Sequence, residues 1–156
     1  MAGRIQEEIQ QRIPFKDLGA EAFLNLARTY EILETRLSEF LRPYDLSPTQ
    51  YNMLRILRGA GCDGLTCSKA AERMVTHDPD VTRLVDRMEG KGWISRERSP
   101  KDRRVVTIRV TQTGLDLIEQ LEEPLNQFNK TVIGHLGDEK LRLLIDLLED
   151  VRCPKA

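Results

Sequence analysis

The chain has 156 residues, 24 Lys and Arg against 25 Asp and Glu, and 40% hydrophobic residues. That length suits one domain with or without helical extensions, and the composition is that of a soluble, helix-rich protein. No apolar run approaches the roughly 18 residues of a membrane span, and the first residues lack the apolar stretch of a secretory signal, so the expected compartment is the cytoplasm.

Charge is unevenly distributed. Residues 47 to 111 carry 13 basic and 8 acidic side chains, net +5, while residues 1 to 46 are net −2 and residues 112 to 156 net −4. A basic middle between acidic ends fits either a nucleic-acid-reading segment or a chance distribution of solvated charge.

In chain order, Ile5, Ile9 and Ile13 recur every four residues before Pro14, as in a short amphipathic arm or a frayed end. Residues 17 to 42 form the first long helix, with Phe23, Leu26, Ala27, Tyr30, Leu33, Leu37, Phe40 and Leu41 at three- and four-residue spacing. Pro43 stops it. Ser47-Pro-Thr-Gln50 starts a second helix with a serine N-cap, proline in the first turn and a capping-box glutamine; Tyr51, Leu54 and Leu57 are its buried stripe, and the loop from Gly59 to Gly64 ends it. Thr66 caps a short third helix, Cys67 to Met74, with Ala70, Ala71 and Met74 inward. Asp78 caps a fourth, with Pro79 at its first position and Val81, Leu84, Val85 and Met88 inward. Gly90 and Gly92 close it, Gly92 in a left-handed cap. Two short helices around a tight linker have helix-turn-helix spacing.

A hairpin follows. Val106, Ile108 and Val110 alternate with Thr107 and Arg109, and Trp93 to Arg98 reads as the matching strand with outward arginines. Thr111 to Gly114 leads into a helix of about two dozen residues, with Leu115, Ile118, Leu121, Leu125, Phe128, Val132 and Leu136 on one face and Pro124 set to kink or split it. A last helix after an Asp138 cap turns Leu141, Leu144, Ile145, Leu148 and Val151 inward.

A basic-tipped hairpin directly after a helix pair is the wing of a winged helix-turn-helix. The fold class expected is therefore mainly α with a small β-wing. The fourth helix is the recognition helix, its outer face presenting Asp80, Thr82, Arg83, Asp86 and Arg87. Thr82 and Arg83 are the base-contact candidates, because arginine can bond guanine in two places. Arg87 is placed for phosphate, as are Ser68 and Lys69, where the third helix opens with free N–H groups. The plainer reading of Arg83 and Arg87 is solvated helix charge, with Arg83 paired to Asp86 or Arg87 to the neighbours of Asp86. At the wing tip, Lys101, Arg103 and Arg104 suit a narrow minor groove, and Asp102 braces the loop. Asp80 favours the helix dipole but repels phosphate; it could also accept from cytosine N4. Both readings stay open.

Enzyme chemistry finds no support. No glycine-rich phosphate loop, HExxH or nucleophile–His–Asp set occurs, and His77 and His135 are isolated. His77 completes the turn beside the recognition helix or lines an effector pocket. Cys62, Cys67 and Cys153 have neither disulfide-framework nor zinc spacing; they read as inert thiols, with a redox pair of Cys62 and Cys67 as the alternative. No cofactor or metal is expected.

The run Asp80-Val-Thr-Arg-Leu-Val-Asp-Arg-Met-Glu-Gly-Lys-Gly-Trp-Ile-Ser-Arg96, with Asp102-Arg-Arg-Val-Val-Thr-Ile-Arg-Val-Thr-Gln-Thr-Gly114, resembles the MarR (multiple antibiotic resistance regulator) family, including its Asp-x-Arg wing signature. The similarity spans roughly residues 18 to 150. It implies a single MarR-like domain over 1–156, a DNA-binding region over 47–111, and dimerisation helices over 17–42 and 112–152. It further implies a homodimeric repressor of a pseudo-palindromic operator on double-stranded DNA, Arg83 reading the major groove and Arg104 the minor, with Asp102 bracing it. Many members release DNA when a small aromatic or phenolic effector binds, which would place a pocket between the Tyr30–Tyr44 region and the winged domain. Others sense peroxide through a cysteine near the N-terminal helix; none precedes Cys62 here. Asp80 departs from the small polar residue usual there, which bears on operator sequence. The dimer contacts would include Leu125, Phe128, Leu141, Leu144 and Leu148. Independently, the terminal segments carry more apolar stripe than one small winged domain covers; the alternative is a bundle within one chain. The competing functional reading is a winged-helix protein-interaction module whose wing faces an acidic protein.

Overall fold

A computed structural model describes residues 4–76, 80–98 and 106–153. They fall into two compact units, Met1–Pro48 and Thr49–Ala156. In the first, helix α1 (Arg4–Glu8) buries Ile5, while Ile9 and Ile13 are exposed. Helix α2 (Leu18–Leu41) is capped by Asp17, whose carboxylate accepts from the amides of Gly19 and Ala20. A 3-10 turn over Arg42–Tyr44 takes up the Pro43 stop. The stripe along α2 is covered unevenly: Leu41 is fully buried, but Phe23, Leu26 and Tyr30 are exposed.

The second unit opens with α3 (Pro48–Ala60), which buries Gln50, Met53, Leu54 and Leu57. The helix runs through Gly59, and a 3-10 turn at Gly61–Asp63 ends it. Then come β1 (Leu65–Thr66), α4 (Cys67–Glu72), α5 (Val81–Gly90), β2 (Ile94–Arg98), β3 (Val106–Val110), α6 (Gln112–Val132), a 3-10 turn over Gly134–Leu136, and α7 (Asp138–Arg152). The sheet is antiparallel with order β1-β3-β2, so β3 is its centre. Leu65 pairs with Ile108, and Ile94 with Val110. The two expected strands are therefore three. Helix α4 lies against β1, β3 and α5, and α5 against β2. Leu84, Val85, Met88, Ile94, Ile108, Ile118 and Leu121 are among this unit's buried side chains, each worth about 1.5–3 kcal/mol of transfer free energy.

Several boundaries differ from expectation for local reasons. Helix α4 stops at Glu72, leaving Met74 half-buried in the following turn. Helix α5 begins at Val81, capped by Asp80 and not by Asp78; with two carboxylates around Pro79, the one three residues before the Arg83 amide takes the cap. Asp78, Pro79 and His77 themselves lie outside the described residues. Pro124 does not split α6, which is one helix from Gln112 to Val132. Gly137, not Asp138, is the N-cap of α7. On α7 only Leu141, Leu144 and Leu148 are half-buried, whereas Ile145 and Val151 are exposed rather than inward.

Candidate nucleic-acid interface

Helix α5 is strongly two-faced. Leu84, Val85 and Met88 are buried at a spacing of one, three and four residues, while Thr82, Arg83, Asp86 and Arg87 are exposed. Its first turn is stapled by Asp80, which accepts from the Arg83 amide at 3.1 Å and pairs with Arg83 Nε at 3.0 Å. Under the plainer reading Arg83 could pair with Asp86; its partner here is Asp80. The Arg83 side chain remains 82% exposed, so the pair is a weak surface contact. Arg87 lies one turn on, its Nε donating to the Arg83 carbonyl. Asp80, Arg83, Asp86 and Arg87 together line a shallow depression on the outer face.

The turn that follows α4 is tied to α3. The Val75 amide donates to Asn52 Oδ1 of α3 at 3.0 Å, a contact that sequence periodicity could not reveal. At the mouth of α4, Ser68 and Lys69 are exposed, but the Lys69 amide is already used: it donates to the Thr66 hydroxyl. Of the first-turn amides expected to be free, that of Lys69 is thus taken up by the cap. Ser68 Oγ donates to Glu72.

The arginines flanking the wing divide. Arg98 is exposed. Arg96 is not outward: Trp93 and Ile94 are both buried, so alternation starts at Ile94 and places Arg96 on the inner face, opposite Ile108. It pairs with Asp86 and Glu89 of α5. Arg109, on the outer face, pairs with Glu97 and donates to the Cys62 carbonyl at 2.8 Å. Lys101, Asp102, Arg103 and Arg104 lie outside the described residues.

The hairpin is joined to α6 by a tight corner. The Thr111 amide donates to the Trp93 carbonyl; its hydroxyl donates to the Gly92 carbonyl at 2.6 Å and accepts from the Gly114 amide. Gly92 has φ +73°, the left-handed conformation expected of it. Lys91 Nζ sits 4.4 Å from the centre of the Trp93 ring, a cation–π contact that covers the same corner.

Of the residues expected at a dimer seam, Leu125 is 7% exposed and belongs to this unit's own core. Phe128, Leu141, Leu144 and Leu148 are half-buried. Tyr30, on α2, is half exposed; partial burial, and then the Glu34 carboxylate, raise its pKa above the ordinary tyrosine value and keep it a neutral hydroxyl. Cys62 and Cys153 are exposed and Cys67 half-buried, all as free thiols. Among the described residues no group of three His, Cys, Asp or Glu side chains could hold a metal, and no helix is long and apolar enough to cross a membrane.

Comparison with known proteins agrees with this geometry. The sequence model of the MarR family matches residues 46–106. The chain is 31% identical over 116 residues to the multiple antibiotic resistance protein MarR of Escherichia coli (strain K12), covering 74% of this chain and 79% of that protein. It is 40% identical to a MarR transcription factor from Planctomyces limnophilus of known crystal structure, with a TM-score of 0.69 over 86% of this chain and 98% of that one. The crystal structure of an Escherichia coli MarR variant complexed with operator DNA gives a TM-score of 0.75 at 26% identity, over 87% of this chain and 99% of that one. The chain belongs to the MarR family of winged-helix transcriptional regulators, which bind DNA and are not enzymes.

Proposed function

We propose that this protein is a homodimeric repressor that reads a pseudo-palindromic operator with one α5 in each of two successive major grooves. The observation that carries the reading is the division of α5: three buried apolar side chains fix it to the domain, and Thr82, Arg83 and Arg87 are exposed on the opposite face. Arg83 bonds a guanine edge and Thr82 an adjacent base, while Arg87, Ser68 and Lys69 hold phosphates. Lys101, Arg103 and Arg104 at the wing tip enter the minor groove, with Asp102 bracing them. Half-sites lie about one helical turn apart, as two-fold symmetry on one DNA face requires. Phe128, Leu141, Leu144 and Leu148 contribute to the seam between subunits. A small aromatic or phenolic effector releases the DNA; a Phe40→Ala variant with an unaltered effector response would count against a pocket near the Tyr30–Tyr44 region.

The test is a selection from random duplex DNA at two salt concentrations. Enrichment of an inverted repeat, weakened by Arg83→Ala and Arg104→Ala, supports the reading. Substituting Arg83 should remove about 1–3 kcal/mol and relax one base preference; equal loss on every sequence removes its base-reading role. No binding at low salt would move the function to a protein partner.

A further inference from the structure

Arg96 occupies a place where an apolar side chain is the usual choice. It shares the inner face of β2 with buried Ile94 and stands opposite Ile108, which is fully buried. From there its guanidinium reaches α5, with Nη2 2.5 Å from Asp86 Oδ1 and Nη1 3.6 Å from Glu89 Oε2. Only 28% of the side chain is exposed, and its Nε is buried with no hydrogen-bond partner among the described residues. Asp86 and Glu89 are three residues apart, so one guanidinium spans both.

This arrangement solves a problem on α5. The helix carries Arg83 and Arg87 against Asp80, Asp86 and Glu89. Asp80 is engaged by Arg83, but Asp86 and Glu89 would otherwise meet DNA as uncompensated negative charge. The apolar contacts of Leu84, Val85 and Met88 hold α5 to its domain without fixing its direction. A charge-assisted pair from a strand is directional. We infer that Arg96 is a positioning residue: held in the sheet, it fixes the rotation of the recognition helix through Asp86 and Glu89, and it acts from behind without touching DNA. The inference rests on the reading of α5 as the major-groove helix.

The experiment measures binding of the full chain and of its R96M, R96K, D86N and R83A variants over a salt series. The probes are the duplex enriched from random DNA and a random-sequence duplex of equal length, with thermal unfolding run alongside. R96M and D86N should each weaken binding to the enriched duplex about tenfold, or ~1.4 kcal/mol. Binding to random duplex and the salt slope should stay unchanged, and R96K should recover part of the loss. D86N carries the decision if R96M does not fold, because Asp86 is exposed. If Asp86 is only solvated charge, removing it beside phosphates tightens binding, and that sign overturns the proposal. Equal loss on both duplexes, with the salt slope lower by about one, makes Arg96 a phosphate ligand and overturns it too. Intact binding by R83A would instead overturn the reading of α5; loss in R83A with none in R96M or D86N overturns the positioning role alone.

Discussion

At residue 80 one carboxylate does two jobs that can be separated. Asp80 caps α5 through the Arg83 amide and also pairs with the Arg83 side chain. Serine keeps the cap and removes the charge. Asp80→Ser should therefore leave stability nearly unchanged while tightening DNA binding a few-fold at low salt, an advantage that fades as salt rises. Asp80→Ala should lose about 0.5–2 kcal/mol of stability as well. Urea unfolding and fluorescence anisotropy separate the two effects. Gly114 is constrained differently. A Cβ there would strike the Trp93 carbonyl oxygen and lie 2.8 Å from Val110 Cγ2. The helix propensity gained by alanine is at most about 1 kcal/mol, whereas the obstacle is backbone in a corner tied by three Thr111 hydrogen bonds. Gly114→Ala should destabilise by about 1–3 kcal/mol, read from the urea midpoint. Unchanged stability would show that the corner can open.

Among the elements, those with a sustained period were legible. The stripes of α2, α3, α5 and α6 and the alternation of β3 each repeat often enough to set a face, and Thr66 and Gly92 plainly mark the start of α4 and the end of α5. Strand β1 was not legible, because two residues carry no period and its pairing with β3 is set by tertiary contact. The inner place of Arg96 was missed because Trp93 and Ile94 are both buried, which hides the phase of β2. The cap expected at Asp78 falls to Asp80, because both carboxylates around Pro79 have the right chemistry and the sequence alone does not show where the first helical turn begins. The exposed polar face of α5 was visible in the sequence; the contacts around it, Asn52 to Val75 in the turn after α4 and Arg96 to Asp86 on α5 itself, join residues distant in sequence and have no local signature. Pro124 shows the limit of a local rule. Proline inside a helix removes a hydrogen bond and costs about 3 kcal/mol relative to alanine, yet α6 continues through it with Leu121 and Leu125 buried on either side. Packing on that face outweighs the local defect. Pro124→Ala should accordingly raise the unfolding free energy by about 1–3 kcal/mol, seen as a higher midpoint in thermal melts. A lower midpoint would mean that the proline ring itself is needed for packing.

For the molecule as a whole, what remains uncovered matters as much as what is buried. In the first unit Phe23, Leu26 and Tyr30 are exposed on α2; in the second, Leu143, Ile145, Leu147 and Val151 are exposed on α7, beside half-buried Leu141, Leu144 and Leu148. Apolar helix faces of this extent mark association surfaces on soluble proteins. The proposed reading of two half-sites would also need a two-fold partner to place the second helix. Ile145→Glu combined with Leu148→Glu puts two carboxylates on the α7 face at places not fully buried in the single chain, so folding should survive while the seam fails. Sedimentation should show a dimer for the parent protein and a monomer for the variant at micromolar concentration, with helical circular dichroism retained. Operator affinity should fall towards that of one half-site, because the second site no longer binds at the high effective concentration that the dimer supplies. A parent protein that is monomeric, or a variant that stays dimeric and binds normally, would instead assign these apolar faces to packing within one chain.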